Sequence, residues 1–233
     1  MTRKAAADNG TGGLTRNRPI VLQKSVLLVI DIQHFCCFPG QGEWKHIDPD
    51  NIPEDMKYYF DRVEHTVLPN LKRLQRSCRE NGVEVMFSVI RCLTEDCREQ
   101  GLDYKISGFR IPRSSPEARI PAVVAPVGDE IVLPKTSSSV FNSTNIDYVL
   151  RGLETDYLII TGLITDQCVE SAVRDACDKN YLVTLVADAC TTYSQELHDS
   201  ALRAMKGYCR QISTEEMIEE ITSLGKGMDR REG

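Results

Sequence analysis

Three residue types that can do chemistry together, a cysteine, a lysine and an aspartate, each stand at the end of an apolar run. Cys168 lies in Thr161-Gly162-Leu163-Ile164-Thr165-Asp166-Gln167-Cys168-Val169-Glu170-Ser171. Before it, Tyr157-Leu158-Ile159-Ile160 reads as a buried strand ending at Gly162. After it, Val169, Ala172, Val173 and Ala176 recur at i, i+3, i+4, i+7, the pattern of an amphipathic helix. Thr165 or Asp166 is a candidate cap, and Asn180 a natural stop. Cys168 is therefore expected in a first helical turn, just past the carboxyl end of a strand. Unpaired N–H groups and the positive end of the helix dipole favour a thiolate there, and any oxyanion formed beside it. That reading makes Cys168 a nucleophile of lowered pKa. The competing reading is a small buried hydrophobe, which is how most free cysteines behave. A nucleophile also needs a base and a charge partner.

Two residues elsewhere supply those types. Asp31 closes Ser25-Val26-Leu27-Leu28-Val29-Ile30, a continuous apolar run of the kind found in central parallel strands. Its carboxylate would face the edge of the sheet where open α/β folds bind ligands, although a capping or loop aspartate reads the same way. Lys135 ends Glu130-Ile131-Val132-Leu133-Pro134, a third strand whose ladder Pro134 should terminate. Taken alone, Lys135 is equally an ordinary solvated lysine.

The elements that must position them alternate. Val63, Val67, Leu71, Leu74 and Cys78 mark a helix in which Pro69 either makes a kink or starts a second half. Gly82 ends it, and Glu84–Ile90 is the second strand. Leu182–Asp188 is the fifth strand, Ser194–Lys206 a helix, and Tyr208–Ile212 a weak last strand. Ser213-x-x-Glu216 is a capping box for the terminal helix. Strands alternating with helices predict a three-layer α/β/α domain with a doubly wound, mainly parallel six-stranded sheet. In the usual strand order the first and fourth strands are neighbours, so Asp31 and Cys168 share one crevice. Lys135, about 10 Å away at ~4.8 Å per strand, must reach over strand two. Between strands two and three, residues 91–129 show no period. A connection that long is expected to form part of the pocket wall and to set substrate choice.

Composition narrows the function. The 233 residues suit one domain over 19–233, with residues 1–18 as a polar, flexible tail. A net charge of −6 argues against nucleic acid or an anionic membrane as partner. No apolar run is long enough to span a bilayer. The nine cysteines are odd in number and lack paired or metal-ligand spacing, which fits free thiols in a reducing cytoplasm.

Read together, the apolar strand into Asp31-Ile32-Gln33, the Leu133-Pro134-Lys135 run and Gly162-x-x-Thr165-x-x-Cys168-Val169 resemble the isochorismatase-like cysteine hydrolases, from about residue 20 onward. The resemblance implies a catalytic triad of Asp31, Lys135 and Cys168. It also implies an oxyanion hole from the backbone N–H groups of Ile164 and Cys168, beside a cis Leu163–Ile164 bond. The nicotinamidase-like branch carries Asp-x-His and a further histidine after the second strand. Residues 91–108 contain no histidine, so no metal and no other cofactor is expected. Members that cleave the vinyl ether of isochorismate lack the cysteine that is present here. What remains resembles metal-free amidohydrolases acting on N-carbamoyl or ureido compounds. With the 91–129 segment closing the crevice, a homo-oligomer, dimer or tetramer, is expected. Gln33 and His34 are candidate substrate contacts, with local loop hydrogen bonding as the alternative. Two other readings stay open: another hydrolase on this scaffold, nicotinamidase- or isochorismatase-like, and a non-catalytic binding protein.

Overall fold

The computed structural model describes residues 15–229. The expected tail falls largely on residues 1–14, outside the described residues. Six strands form one sheet: β1 (Ser25–Ile30), β2 (Glu84–Ile90), β3 (Val132–Lys135), β4 (Tyr157–Leu163), β5 (Leu182–Thr191) and β6 (Arg210–Ile212). Their spatial order is β3-β2-β1-β4-β5-β6. All five pairings are parallel. This is a doubly wound α/β sheet, with the reversal of winding between β1 and β4 where the ligand crevice of such folds opens.

The central strands read as unbroken apolar runs because both of their faces are covered. Along β1, Leu27 and Val29 join one apolar cluster while Val26, Leu28 and Ile30 join another. The first cluster is completed by Tyr59, Phe60, Leu71 and Leu74 from the helices of residues 54–80, and by Met217 and Ile221 from the last helix. The second takes Ile146 and Leu150, then Ala172, Val173 and Ala176, then Ala201 and Met205. The three layers follow from that alternation.

The structure adjusts several boundaries. The third strand begins at Val132, two residues later than its sequence suggests, because Glu130 turns aside to form a two-armed ion pair with Arg79 at 2.7 and 2.9 Å. Pro134 sits within β3 and does not end it. This strand lies at the edge of the sheet, where no neighbour asks for the missing N–H. Pro69 does not break its helix. A π-helical turn, Val63–Val67, precedes it, and Pro69 stands at the start of the α-helix Leu68–Glu80, where its N–H is not required. The Ser213–Glu216 capping box forms in both directions, at 2.7 and 3.2 Å.

The 91–129 segment is more ordered than its sequence predicts. It holds a short helix, Leu102–Ser107, and two single 3-10 turns. Cys92 and Cys97, expected as free thiols, are joined in a disulfide. Cys97 adopts a φ of +55°, which turns the chain back and brings the two Cα atoms to 5.2 Å. No helix among the described residues is long and apolar enough to cross a membrane.

Candidate active site

Strand register places the three chemical groups. Ile30 lies opposite both Ser88 of β2 and Gly162 of β4, so Asp31 emerges at the edge of the sheet between those strands. Asp31 has a φ of +53°, a left-handed conformation that aspartate tolerates better than most residues, and its N–H bonds Ser88 O at 2.9 Å. Gly162 is required: its φ is +124°, and a Cβ there would sit 2.0 Å from Ile30 O. The absent side chain lets β4 run tight against the end of β1, so that Asp31 and Cys168 share a crevice.

Lys135 lies opposite Ile90 of β2 and reaches over that strand. Its ammonium is 2.8 Å from Asp31 Oδ2 and 3.3 Å from Cys168 Sγ. It also donates to Tyr104 Oη at 2.8 Å and to Ser137 O at 2.9 Å. Lysine and aspartate are 0% and 1% exposed, so the pair is wholly withdrawn from water. Tyr104 comes from the short helix in the 91–129 segment, and its hydroxyl is 3.7 Å from Cys168 Sγ. Nothing in its local pattern singles it out. The only signal in the sequence is that it belongs to a long segment leaving the mouth of the crevice.

Charge balance in this buried cluster is set by competition. Burial raises the pKa of Asp31, and Lys135 pulls against that rise. Burial alone would lower the pKa of Lys135, but Asp31 and Cys168 hold it well above its ordinary value, so lysine is the charged centre. Burial pushes the Cys168 thiol up to about 11, again opposed by Lys135. Burial thus works against the low-pKa thiolate expected from the sequence, and Lys135 works for it. Cys168 lies in the crevice at 7% exposure, and the nearby Asp31 carboxylate pushes its thiol up further. Desolvation outweighs the field of the helix.

The turn that carries Cys168 also departs from expectation. It is π-helical over Thr165–Val169 and continues as an α-helix over Glu170–Asp178. Ile164 occupies the cap position, and neither Thr165 nor Asp166 caps. The Thr165 hydroxyl instead bonds His198 Nδ1 at 2.8 Å, tying the turn to the Gln195–Met205 helix. Asn180, with a φ of +73°, lies just beyond the helix as foreseen. The Leu163–Ile164 peptide is cis.

Of the two candidate substrate contacts, neither faces Cys168. Gln33 is fully buried and brackets the end of β2, accepting from Ile90 N at 2.6 Å and donating to Ile90 O at 3.0 Å and Glu117 O at 3.3 Å. Its amide has no arm left for a substrate. His34 bonds Gln41 Oε1 at 2.8 Å and lines an outer groove with Pro116, Glu117 and Arg119. The cavity beside Cys168 is instead walled by Asp31, Ile164 and Gln167 from strand ends and the cysteine turn, Phe109 from the long segment, and Glu43, Tyr59 and Tyr193. A larger, open groove of Gly101–Tyr104, Thr136–Ser139 and Arg174 adjoins the cluster on the far side of Tyr104 and Ser137, and none of Asp31, Lys135 and Cys168 lines it.

Comparison with known proteins gives a consistent family and a mixed set of branches, a nicotinamidase of Arabidopsis thaliana and phenazine biosynthesis protein PhzD of Pseudomonas fluorescens standing beside the amidohydrolases. The chain is 32% identical to N-carbamoylsarcosine amidase of an Arthrobacter species over 121 residues, 50% of this chain and 46% of that protein, less than half its length. It is 27% identical to ureidoacrylate amidohydrolase RutB of Serratia proteamaculans over 183 residues, 72% of this chain and 69% of the relative. Among solved structures, a cysteine hydrolase from Pseudomonas syringae pv. phaseolicola superposes with a TM-score of 0.75 at 20% identity. That match covers 89% of this chain and 97% of the other, a likeness of fold. Residues 25–217 match the isochorismatase domain, so the chain belongs to the isochorismatase family.

Proposed function

We propose that this protein is a cysteine hydrolase that cleaves the C–N bond of a small amide, N-carbamoyl or ureido compound through a covalent intermediate on Cys168. The observation that carries the reading is the Lys135 ammonium, 2.8 Å from the Asp31 carboxylate and 3.3 Å from the Cys168 sulfur. Relatives named as an amidase and an amidohydrolase support it.

The chemistry follows from the positions. Asp31, joined to Cys168 through the Lys135 ammonium that both face, takes the Cys168 proton as sulfur attacks the carbonyl carbon. Its raised pKa makes it a stronger base than an exposed carboxylate. The fixed charge of Lys135 stabilises the thiolate character that develops, which compensates for the high resting pKa of the thiol. The backbone N–H groups of Ile164 and Cys168 receive the carbonyl oxygen as it becomes an oxyanion. Asp31 then returns the proton to the departing nitrogen, the C–N bond breaks, and the acyl or carbamoyl group remains as a thioester on Cys168. Water, deprotonated by Asp31, hydrolyses that ester and restores the thiol. Lys135 stays protonated throughout.

A screen of small amides and ureas for ammonia or amine release, with mass spectrometry of the quenched enzyme, tests the proposal. A substrate-dependent mass increase on the peptide containing Cys168 is expected. Turnover without that adduct, and unaffected by loss of the sulfur, would overturn it.

Two expectations follow for this site. Tyr104→Phe removes one acceptor from the Lys135 ammonium but leaves Asp31 and Ser137 O in place. A hydrogen bond to a charged group contributes about 1.5–3 kcal/mol, so kcat should fall by roughly 10- to 100-fold while the fold is kept. Unchanged kcat would make Tyr104 a bystander. Because residues 91–108 offer no histidine, dialysis against a chelator should leave turnover unchanged. Loss of activity that zinc restores would move the chain to the metal-dependent branch.

A further inference from the structure

The polar groups that wall the Cys168 cavity are acidic, phenolic or amide in character. No arginine lines it, and Lys135 does not form its surface. The carboxylate that stands out is Glu43. It is half-buried, and among the described residues it engages no hydrogen-bond donor and no cationic side chain.

Its position is built. Glu43 belongs to the short 3-10 turn Gly42–Trp44. Gly42 has a φ of +50°, and a Cβ there would lie 2.3 Å from Phe35 Cα, so the turn is pressed directly onto neighbouring backbone. On the other side, Trp44 donates from Nε1 to Cys36 O at 2.9 Å and packs on Tyr59 and Tyr193 with ring centroids 5.6 and 5.8 Å away. The two tyrosines and Phe109 then line the same cavity as Glu43. An unpaired carboxylate held among aromatic faces is the chemistry that receives an ammonium or strongly polarised N–H donors, by charge and by cation–π attraction. It repels a carboxylate.

We infer that Glu43 is a specificity-determining residue, and that the substrate is a ureido or amide compound whose far end carries an ammonium or N–H donor group and not a carboxylate. This rests on the reading of Cys168 as the nucleophile and narrows the substrates that reach it. It separates this chain from the anionic compounds for which the two relatives are named, carbamoylsarcosine and ureidoacrylate. Burial pushes Glu43 up to about 7, so its charge is fully developed only on the alkaline side of neutrality.

The test uses the full-length enzyme at pH 8 and three ureas of similar length: 2-aminoethylurea, N-carbamoylglycinamide and N-carbamoylglycine. The expected order of kcat/KM is ammonium, then amide, then carboxylate, with the ends of the series separated by about tenfold or more. In Glu43→Gln the ammonium-to-carboxylate ratio should shrink by about tenfold, mainly through KM, with an unchanged melting temperature. A preference for the carboxylate, or a ratio unchanged in Glu43→Gln, overturns the inference.

A second measurement reads binding without hydrolysis: protection of Cys168 from iodoacetamide by each urea, located by peptide mapping. If none of the three is hydrolysed, the C–N hydrolase reading is what suffers, and protection still decides the role of Glu43. Protection by the ammonium compound that Glu43→Gln removes supports the role. Equal protection by all three compounds overturns it.

Discussion

Replacing Cys168 by alanine is expected to lower kcat by roughly 10⁴-fold or more, since the covalent route disappears entirely and only binding and oxyanion stabilisation remain. The fold should survive. Lys135 loses one of its neighbours but keeps Asp31 and the oxygens of Tyr104 and Ser137. A sulfur replaced by hydrogen on the same Cβ leaves only a small void. Turnover on the best amide, beside a denaturant midpoint close to wild type, checks both halves of the statement. Residual turnover above about 1% of wild type would remove Cys168 from the chemistry, because a nucleophile cannot be lost at so small a cost. Cys168→Ser should fail almost as badly, its hydroxyl being harder still to deprotonate.

Lys135→Met should cost both activity and stability. Among the described residues the ammonium is the only positive charge against a fully buried carboxylate, and removing one partner of such a pair typically costs about 3–5 kcal/mol. That is a large part of the 5–15 kcal/mol that holds an ordinary domain together. Read as an ordinary solvated lysine, Lys135 would be a mild loss. Burial of the pair makes it severe.

The effect should depend on pH, and the sign follows from linkage. Asp31 already has a raised pKa in the folded chain, and loss of Lys135 removes the charge that opposes the rise. Between its unfolded and folded values the native state then holds a proton that the unfolded state has released. The variant should therefore lose stability as pH rises through that window and be firmest in mild acid. Combining Lys135→Met with Asp31→Asn should restore much of the stability and none of the turnover. Urea midpoints for the four proteins at pH 5 and pH 8 would check this. A single variant as stable as wild type at pH 8, or a double variant no better than Lys135→Met, would show that the pair is not the main support of this corner.

How much of this was legible in the sequence differs from element to element. Strands β1, β2 and β4 were plain because a strand covered on both faces has to be apolar along its whole length. The meeting of Asp31, Lys135 and Cys168 was readable from strand order, since each stands at the end of a run. Tyr104 was not, because a six-residue helix of mixed composition has no room for a period. Glu43 was equally hidden, as a single acidic residue beside a Pro-Gly turn looks like solvated loop. The Cys92–Cys97 pairing depends on a left-handed residue that spacing does not reveal. Gln33 misled for a related reason. A buried amide that clamps backbone and an amide that greets a substrate have the same one-letter context. The position of Cys168 at a helix start is visible in sequence, whereas the depth of water exclusion around it is not.

The positions 31, 135 and 168 lie far apart along the chain, on strands that meet only through parallel pairings. Each pairing requires a long stretch of chain to be gathered in before its contacts can offset the lost freedom. A chain that has joined β4 to β5 but not to β1 has its cysteine without its base. One that has joined β1 to β4 but not β2 to β3 lacks its cation. Assembly therefore works as a conjunction, and a partly folded chain is chemically silent. During refolding, recovery of the reactive cluster should trail recovery of helix signal, which makes it a direct timer for closure of the last strand pair.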